Sequence, residues 1–138
     1  MLKHITEIPV RFNEVDSMAV VWHGHYIRYF EDGRESFGKH FGISYLNFVD
    51  EGFMVPLTHI SCDFKRSARY GDTLKITTSL HPFEGAKLKF TYQICNQDGI
   101  LLANGKSEQV FLSLEGQLNL TLPECMNTFY EKHGLSFD

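Results

Sequence analysis

Only one stretch of this chain carries a long helical period, and almost everything after it reads as strand. From about Gly24 to Lys39, the residues Tyr26, Phe30, Gly33 and Phe37 fall at i, i+4, i+7 and i+11, the spacing of one helix face. Ile27, Arg34 and Phe41 flank that stripe, while Arg28, Glu31, Asp32 and Glu35 mostly fall off it. Gly38 and Gly42 are stop signals. Ahead of the helix, residues 5–12 predict a first strand, with Pro9 placing it at a sheet edge or a bulge. Residues 13–22 predict a loop.

Beyond the helix, residues 43–50 predict a short helical turn and residues 53–64 a strand interrupted at Pro56. Strict alternation marks residues 72–82 and 86–95, and residues 100–114 predict a further strand. Glu84-Gly85, Asp98-Gly99 and Glu115-Gly116 are the turns between them. Pro123 opens a short C-terminal helix through about Lys132. One long helix cannot cover both faces of such a sheet. The pattern therefore predicts an α+β fold, with the helix along the concave face of a curved antiparallel sheet. The face and edge left over predict a homodimer at least.

The chain has 138 residues and a net charge of −4, which predicts one domain over 1–138 with no general affinity for nucleic acid or anionic membranes. No apolar run reaches the length of a membrane span or a signal peptide, so a cytoplasmic protein is expected. Cys62, Cys95 and Cys125 form no Cys-x-x-Cys pair and suggest free thiols. Gly-rich phosphate loops and a Gly-x-Ser-x-Gly elbow are both missing from the sequence, which argues against the usual nucleotide sites and serine hydrolases.

The chemistry concentrates at Glu14-Val15-Asp16 and Val20-Val21-Trp22-His23-Gly24-His25-Tyr26. Asp16 is a loop carboxylate just ahead of a helix, as a simple cap or as a reactive group. Val21 and Trp22 would line a partly dry pocket, and Gly24 lets the backbone approach a ligand. Free amides near His23 and Gly24 could receive a carbonyl oxygen. His23 could touch substrate or handle a proton, His25 reads as surface or interface, and Tyr26 as core with its hydroxyl at a pocket wall. The spacing of His23, His25 and Asp16 does not support a metal. Glu31 is a possible second acid, or an exposed helix charge. Lys65, Arg66 and Arg69 form the one dense basic cluster and could hold the phosphates of a nucleotide-like carrier, or be a solvated strand end. Lys87 and Lys89 are weaker candidates of the same kind.

The Asp16-to-Tyr26 block, followed by Tyr29-Phe30-Glu31, resembles the signature of hotdog-fold acyl-CoA thioesterases. The similarity is greatest to the 4-hydroxybenzoyl-CoA thioesterase / tol-pal-associated branch. Val55-Pro56, Cys62-Asp63-Phe64, Ala68-Arg69-Tyr70-Gly71-Asp72, Gly105 and Leu122-Pro123 continue it in order over nearly the whole chain. The resemblance implies a hotdog fold of about five strands, a dimer or tetramer with sites at the dimer interface, and an acyl-CoA substrate. CoA belongs to that substrate, and no separate cofactor is implied. It assigns Asp16 as the catalytic aspartate, the His23 amide as the group polarising the thioester carbonyl, and the His23 side chain as a subgroup histidine. Ala19 stands where the family usually has Gly, and Ser17 where it has Ala or Pro. Rival readings are an acyl-carrier-protein thioesterase, a hotdog dehydratase and a non-catalytic acyl-thioester binding module.

Overall fold

The computed structural model describes residues 1–137. Five strands form one antiparallel sheet in the order β1-β4-β5-β6-β3: β1 (Leu2–Pro9), β3 (Leu57–Phe64), β4 (Thr73–His81), β5 (Lys87–Cys95) and β6 (Leu101–Val110). A long helix, α1 (His25–Phe41), packs along its inner face, and α2 (Tyr45–Asp50) follows. A two-stranded ribbon pairs β2 (Phe53–Met54) with β7 (Leu112–Ser113), and α3 (Glu124–Lys132) comes last. This is the hotdog architecture, with the expected α+β class and strand number.

Alternation decides which side of each strand faces the helix. Leu74, Ile76, Thr78 and Leu80 of β4 and Leu88, Phe90, Tyr92 and Ile94 of β5 point inward and are buried. From α1 come Tyr29, Phe30 and Phe37, each with no exposed surface. Phe30 lies flat on Tyr92, ring centres 4.7 Å apart at 15°. Phe37 meets Phe90 edge-on at 5.2 Å. Such aromatic pairs bury large apolar areas and add stacking and edge-to-face attraction.

Three boundaries differ from the sequence reading, each for a backbone reason. The first strand runs over 2–9 and not 5–12, because Phe12–Glu14 coils into a 3₁₀ turn whose Glu14 carboxylate accepts the Arg11 amide at 2.7 Å. Pro9 ends an edge strand, where a missing N–H costs least. The 53–64 segment splits in two around Pro56, whose carbonyl accepts the Val110 amide at 3.2 Å. The strand beginning near residue 100 stops at Val110 before the short β7. The helix ends at Gly42, in the left-handed region with φ 81, and continues through the buried Gly38.

At one place the sheet has no room for a side chain. A Cβ on Gly105 would come within 2.5 Å of the Phe30 ring and would also strike the Ser61 carbonyl. Gly105→Ala is therefore expected to lower stability by about 1–3 kcal/mol through overpacking, read as a lower urea midpoint at unchanged slope.

Candidate active site

The site begins with a loop that crosses back on itself. Val15 bridges to Val21, and Val20 bridges to Arg69, so residues 15–21 hang as a tight hairpin beside the start of β4. Asp16 is the pin of that hairpin. Its amide donates to the Val20 carbonyl at 2.9 Å, and its carbonyl accepts the Ala19 amide at 3.0 Å. Its carboxylate Oδ1 accepts the Met18 amide at 2.8 Å and the Val20 amide at 3.4 Å. The side chain thus closes an Asx turn and does not cap α1. Its second oxygen, Oδ2, has no protein partner among the described residues, and the residue is exposed. The turn forces Ala19 to φ 61, which a side chain resists.

Glu14, two residues earlier, was not picked out as functional in the sequence. It is buried, accepts the Tyr29 hydroxyl at 3.1 Å, and forms an ion pair with Arg28. The carboxylate ties the loop to the first turns of α1. It also holds the Tyr29 phenol neutral: burial, then the Glu14 charge, pushes its pKa well up. The one sequence signal was Arg28, a cation on the helix turn that faces the loop.

After Trp22 the chain turns directly into the helix. The His25 amide donates to the Trp22 carbonyl at 3.0 Å and the Tyr26 amide to His23 at 3.2 Å. The amides of His23 and Gly24 have no protein acceptor among the described residues, so they form the free positive end of α1. The Trp22 ring covers Gly24 so closely that a Cβ there would overlap it.

Beside this end lies a cleft of about 220 Å³ lined by Val21, His23, Tyr26, Phe64, Lys65, Arg66 and Ser67. It gathers five of the residues singled out in the sequence: Val21, His23, Tyr26, Lys65 and Arg66. The Tyr26 hydroxyl accepts the Ala68 amide at 2.9 Å, which fixes the wall next to the basic cluster. Phe64, which the sequence marks only as part of a strand end, packs on Tyr26 at 5.2 Å and on His23 at 6.2 Å. Four other candidates lie outside the lining. Asp16 stands on the adjoining loop, Gly24 lies under Trp22, and Trp22 is 54% exposed. Arg69 turns toward a different hollow with Asp72 and Gln97. The basic cluster therefore spans two hollows, with Lys65 on the cleft, Arg69 on the neighbouring one and Arg66 lining both. Lys87 and Lys89 are committed to Glu108 at 3.6 and 3.8 Å, so they are poor phosphate ligands. Glu31 is exposed and forms no ion pair among the described residues, and His25 packs on Trp22 at 5.5 Å. Exposed Phe12, Met18, Trp22, Phe64 and Tyr70 leave an apolar surface around the site.

Residues 10–129 match the family model described as the thioesterase-like superfamily. The chain belongs to that superfamily. Its members here include YneP of Bacillus subtilis, provisionally named an acyl-CoA thioesterase, which is 30% identical over 91% of this chain and 94% of its own. The acyl-CoA thioester hydrolase YbgC of Escherichia coli O157:H7 is 28% identical over 68% of this chain and 72% of its own. Among solved structures, a DHNA-CoA thioesterase from Staphylococcus aureus superposes with a TM-score of 0.85 at 26% identity, covering 97% of this chain and 92% of that one. Family membership and these relatives make the chain a thioesterase.

Two tests follow from the geometry. Ala19→Gly removes the cost of a left-handed alanine, partly offset by a floppier unfolded chain. A net gain of about 0.5–1 kcal/mol is expected in urea unfolding. Cys62, half-buried behind the cleft, has its thiol pushed up to about 11 by burial and then by the Asp63 charge. At pH 8 its alkylation is expected to be at least about 100-fold slower than that of an exposed thiol, since only the thiolate reacts.

Proposed function

We propose that the chain hydrolyses acyl-CoA thioesters to the free acid and CoA, in the 4-hydroxybenzoyl-CoA / tol-pal-associated branch, with Asp16 as the reactive carboxylate. One observation carries this. The Asp16 carboxylate is anchored through Oδ1 alone, so Oδ2 is left to react, on a loop that leads into the free amides of His23 and Gly24. A thioester carbonyl oxygen placed on those amides gains two donors and the helix dipole as its charge develops. In one route Oδ2 attacks the carbonyl carbon, the C–S bond breaks, CoA leaves as thiolate, and water hydrolyses the resulting anhydride. In the other, Asp16 takes a proton from water, which attacks the same carbon. Both routes use the same carboxylate and the same oxyanion position.

Around that centre, Val21, Trp22, Tyr26 and Phe64 wall the thioester, and the His23 side chain faces the cleft. Lys65 and Arg66 receive CoA phosphates, with Arg69 reaching the outer part of the carrier. The exposed apolar surface around Asp16 and the unpaired edge of β3 support a homodimer or homotetramer that closes the site. Among the described residues no helix is long and apolar enough to cross a membrane; the proposed place of action is the cytoplasm.

Asp16→Asn is the cleanest test, because an amide oxygen can still accept the Met18 N–H and hold the turn. Its kcat for thiol release is expected to fall by about 10²–10⁴-fold, the range for a lost acid–base group, with acyl-CoA binding largely kept. A screen of short, long and aromatic acyl-CoAs supplies the substrate. Near-normal turnover of the variant would refute the assignment. Hydration of an enoyl-CoA would indicate a dehydratase, hydrolysis of acyl-carrier-protein thioesters alone a different carrier, and binding without thiol release a binding module.

A further inference from the structure

A second cavity lies at the other end of α1 and takes no part in the site described above. It measures about 170 Å³, and its walls include Arg34, Ile43, Phe48, Val55, Phe90 and Gln109. Glu35, Ser44, Tyr45 and Gln109 add polar groups to that lining, and its one cation is Arg34. Its guanidinium is half-buried and donates to the Tyr92 hydroxyl at 3.2 Å. Tyr92 in turn meets Ser107 at 2.5 Å, and burial keeps it a neutral phenol. Among the described residues no carboxylate lies within 4.0 Å of this guanidinium. Glu35, at the cavity mouth, faces Lys39 at 4.0 Å. Gln109 is buried and spends its amide on the Val55 carbonyl at 2.8 Å, leaving its own oxygen without a partner. The fold therefore leaves the cavity's one cation with no acid within ion-pair distance, since Glu35 in the same lining faces Lys39, and a ligand carboxylate would complete it.

We propose that this cavity receives the far end of the acyl group, and that Arg34 selects acyl thioesters ending in a carboxylate. The inference rests on the hydrolase reading above. Size sets the chain length: an apolar cavity of about 150 Å³ holds benzene, so this one takes a chain of about six carbons. Guanidinium and carboxylate then pair through two parallel hydrogen bonds, a match that a lysine or an amide could not make.

The acyl end comes from the partner's active site. Arg34 lies nine residues past His25, about 14 Å along the helix, and the buried Tyr29 and Phe30 stand between. A six-carbon chain from the same protomer's site cannot pass them. The unpaired edge of β3 offers the other path. A strand that pairs with its own copy across a two-fold axis must run antiparallel. In a register centred on β3, its Leu57 end would lie beside the Phe64 end of the partner strand. Val55 of this cavity precedes Leu57 by two residues, and Phe64 walls the active-site cleft. Each cavity thus faces the other protomer's cleft.

The experiment compares thiol release from adipoyl-CoA and hexanoyl-CoA, which share six carbons and differ in the terminal carboxylate. The wild-type ratio of kcat/KM is expected to favour adipoyl-CoA at least about tenfold, the value of one charged hydrogen-bonded pair. In Arg34→Met the ratio should fall to about one or below, and a ratio cancels any loss of folded protein. Asp16→Asn and Arg34→Met chains, co-expressed with different tags, should then regain adipoyl-CoA hydrolysis to about a quarter of wild type. That is the share of intact sites when copies pair at random in a two-fold dimer. A wild-type ratio near one with good hexanoyl-CoA turnover would overturn this inference alone, as would a ratio that Arg34→Met leaves in place. Mixed dimers no better than either parent would overturn the placement across protomers. No thiol from any thioester would remove the hydrolase reading and this proposal together.

Discussion

The structure depends on the contact of Phe30 with Tyr92 over Gly105. A single helix has to hold five strands in a curve, and it does so by laying an aromatic ring flat on the middle of the sheet. That is possible only because β6 carries no side chain at the crossing point. The approach distance set there decides where both ends of α1 come to rest. One end delivers the His23 and Gly24 amides beside Phe64 and the Asp16 turn. The other carries Arg34 under Tyr92 and over the second cavity. A shift of the helix by one turn, roughly 5 Å, would take the free amides away from the loop that carries the carboxylate.

Around this contact the loop at residues 11–24 is held by polar bonds as well as by the packing of Val15 and Val21. Glu14 binds the loop to Arg28 and Tyr29, and Asp16 binds it to itself. Two acids two residues apart divide the labour: Glu14 is buried and its bonds are used up in anchoring, whereas Asp16 is exposed and keeps one oxygen free. The strain at Ala19 lies between them, in the turn that points Asp16 outward. A strained, polar, lightly packed loop on a rigid helix end is a common place for chemistry, because the scaffold beneath it supplies the stability.

Much of this was legible in the residues. The period of Tyr26, Phe30 and Phe37 gave the helix and its inner face, and the alternation of residues 72–95 gave two central strands almost to the residue. The position of Asp16 on a loop ahead of the helix also showed in sequence, whereas its bonds turned out to close its own turn and not to cap α1. Contacts between distant segments did not show. Phe64 reaches His23 and Tyr26 from about forty residues away, and the spread of Lys65, Arg66 and Arg69 over two hollows depends on how the chain leaves β3. Lys87 and Lys89 looked free in sequence and share Glu108 on the neighbouring strand, through a register that no local pattern records.

The sequence by itself determined the element order, the buried stripe and the carboxylate that stands before the helix. Each follows from neighbours within a few residues, where hydrogen-bond reach and side-chain period leave little choice. The tertiary structure alone decided which charges are free. Arg34 read as a flank of the apolar stripe; packing under Tyr92 brought it to a cavity wall with no acid within ion-pair distance among the described residues. Whether a charged group is paired is a question of distances of about 4 Å between segments far apart in the chain, and only the folded arrangement sets those distances.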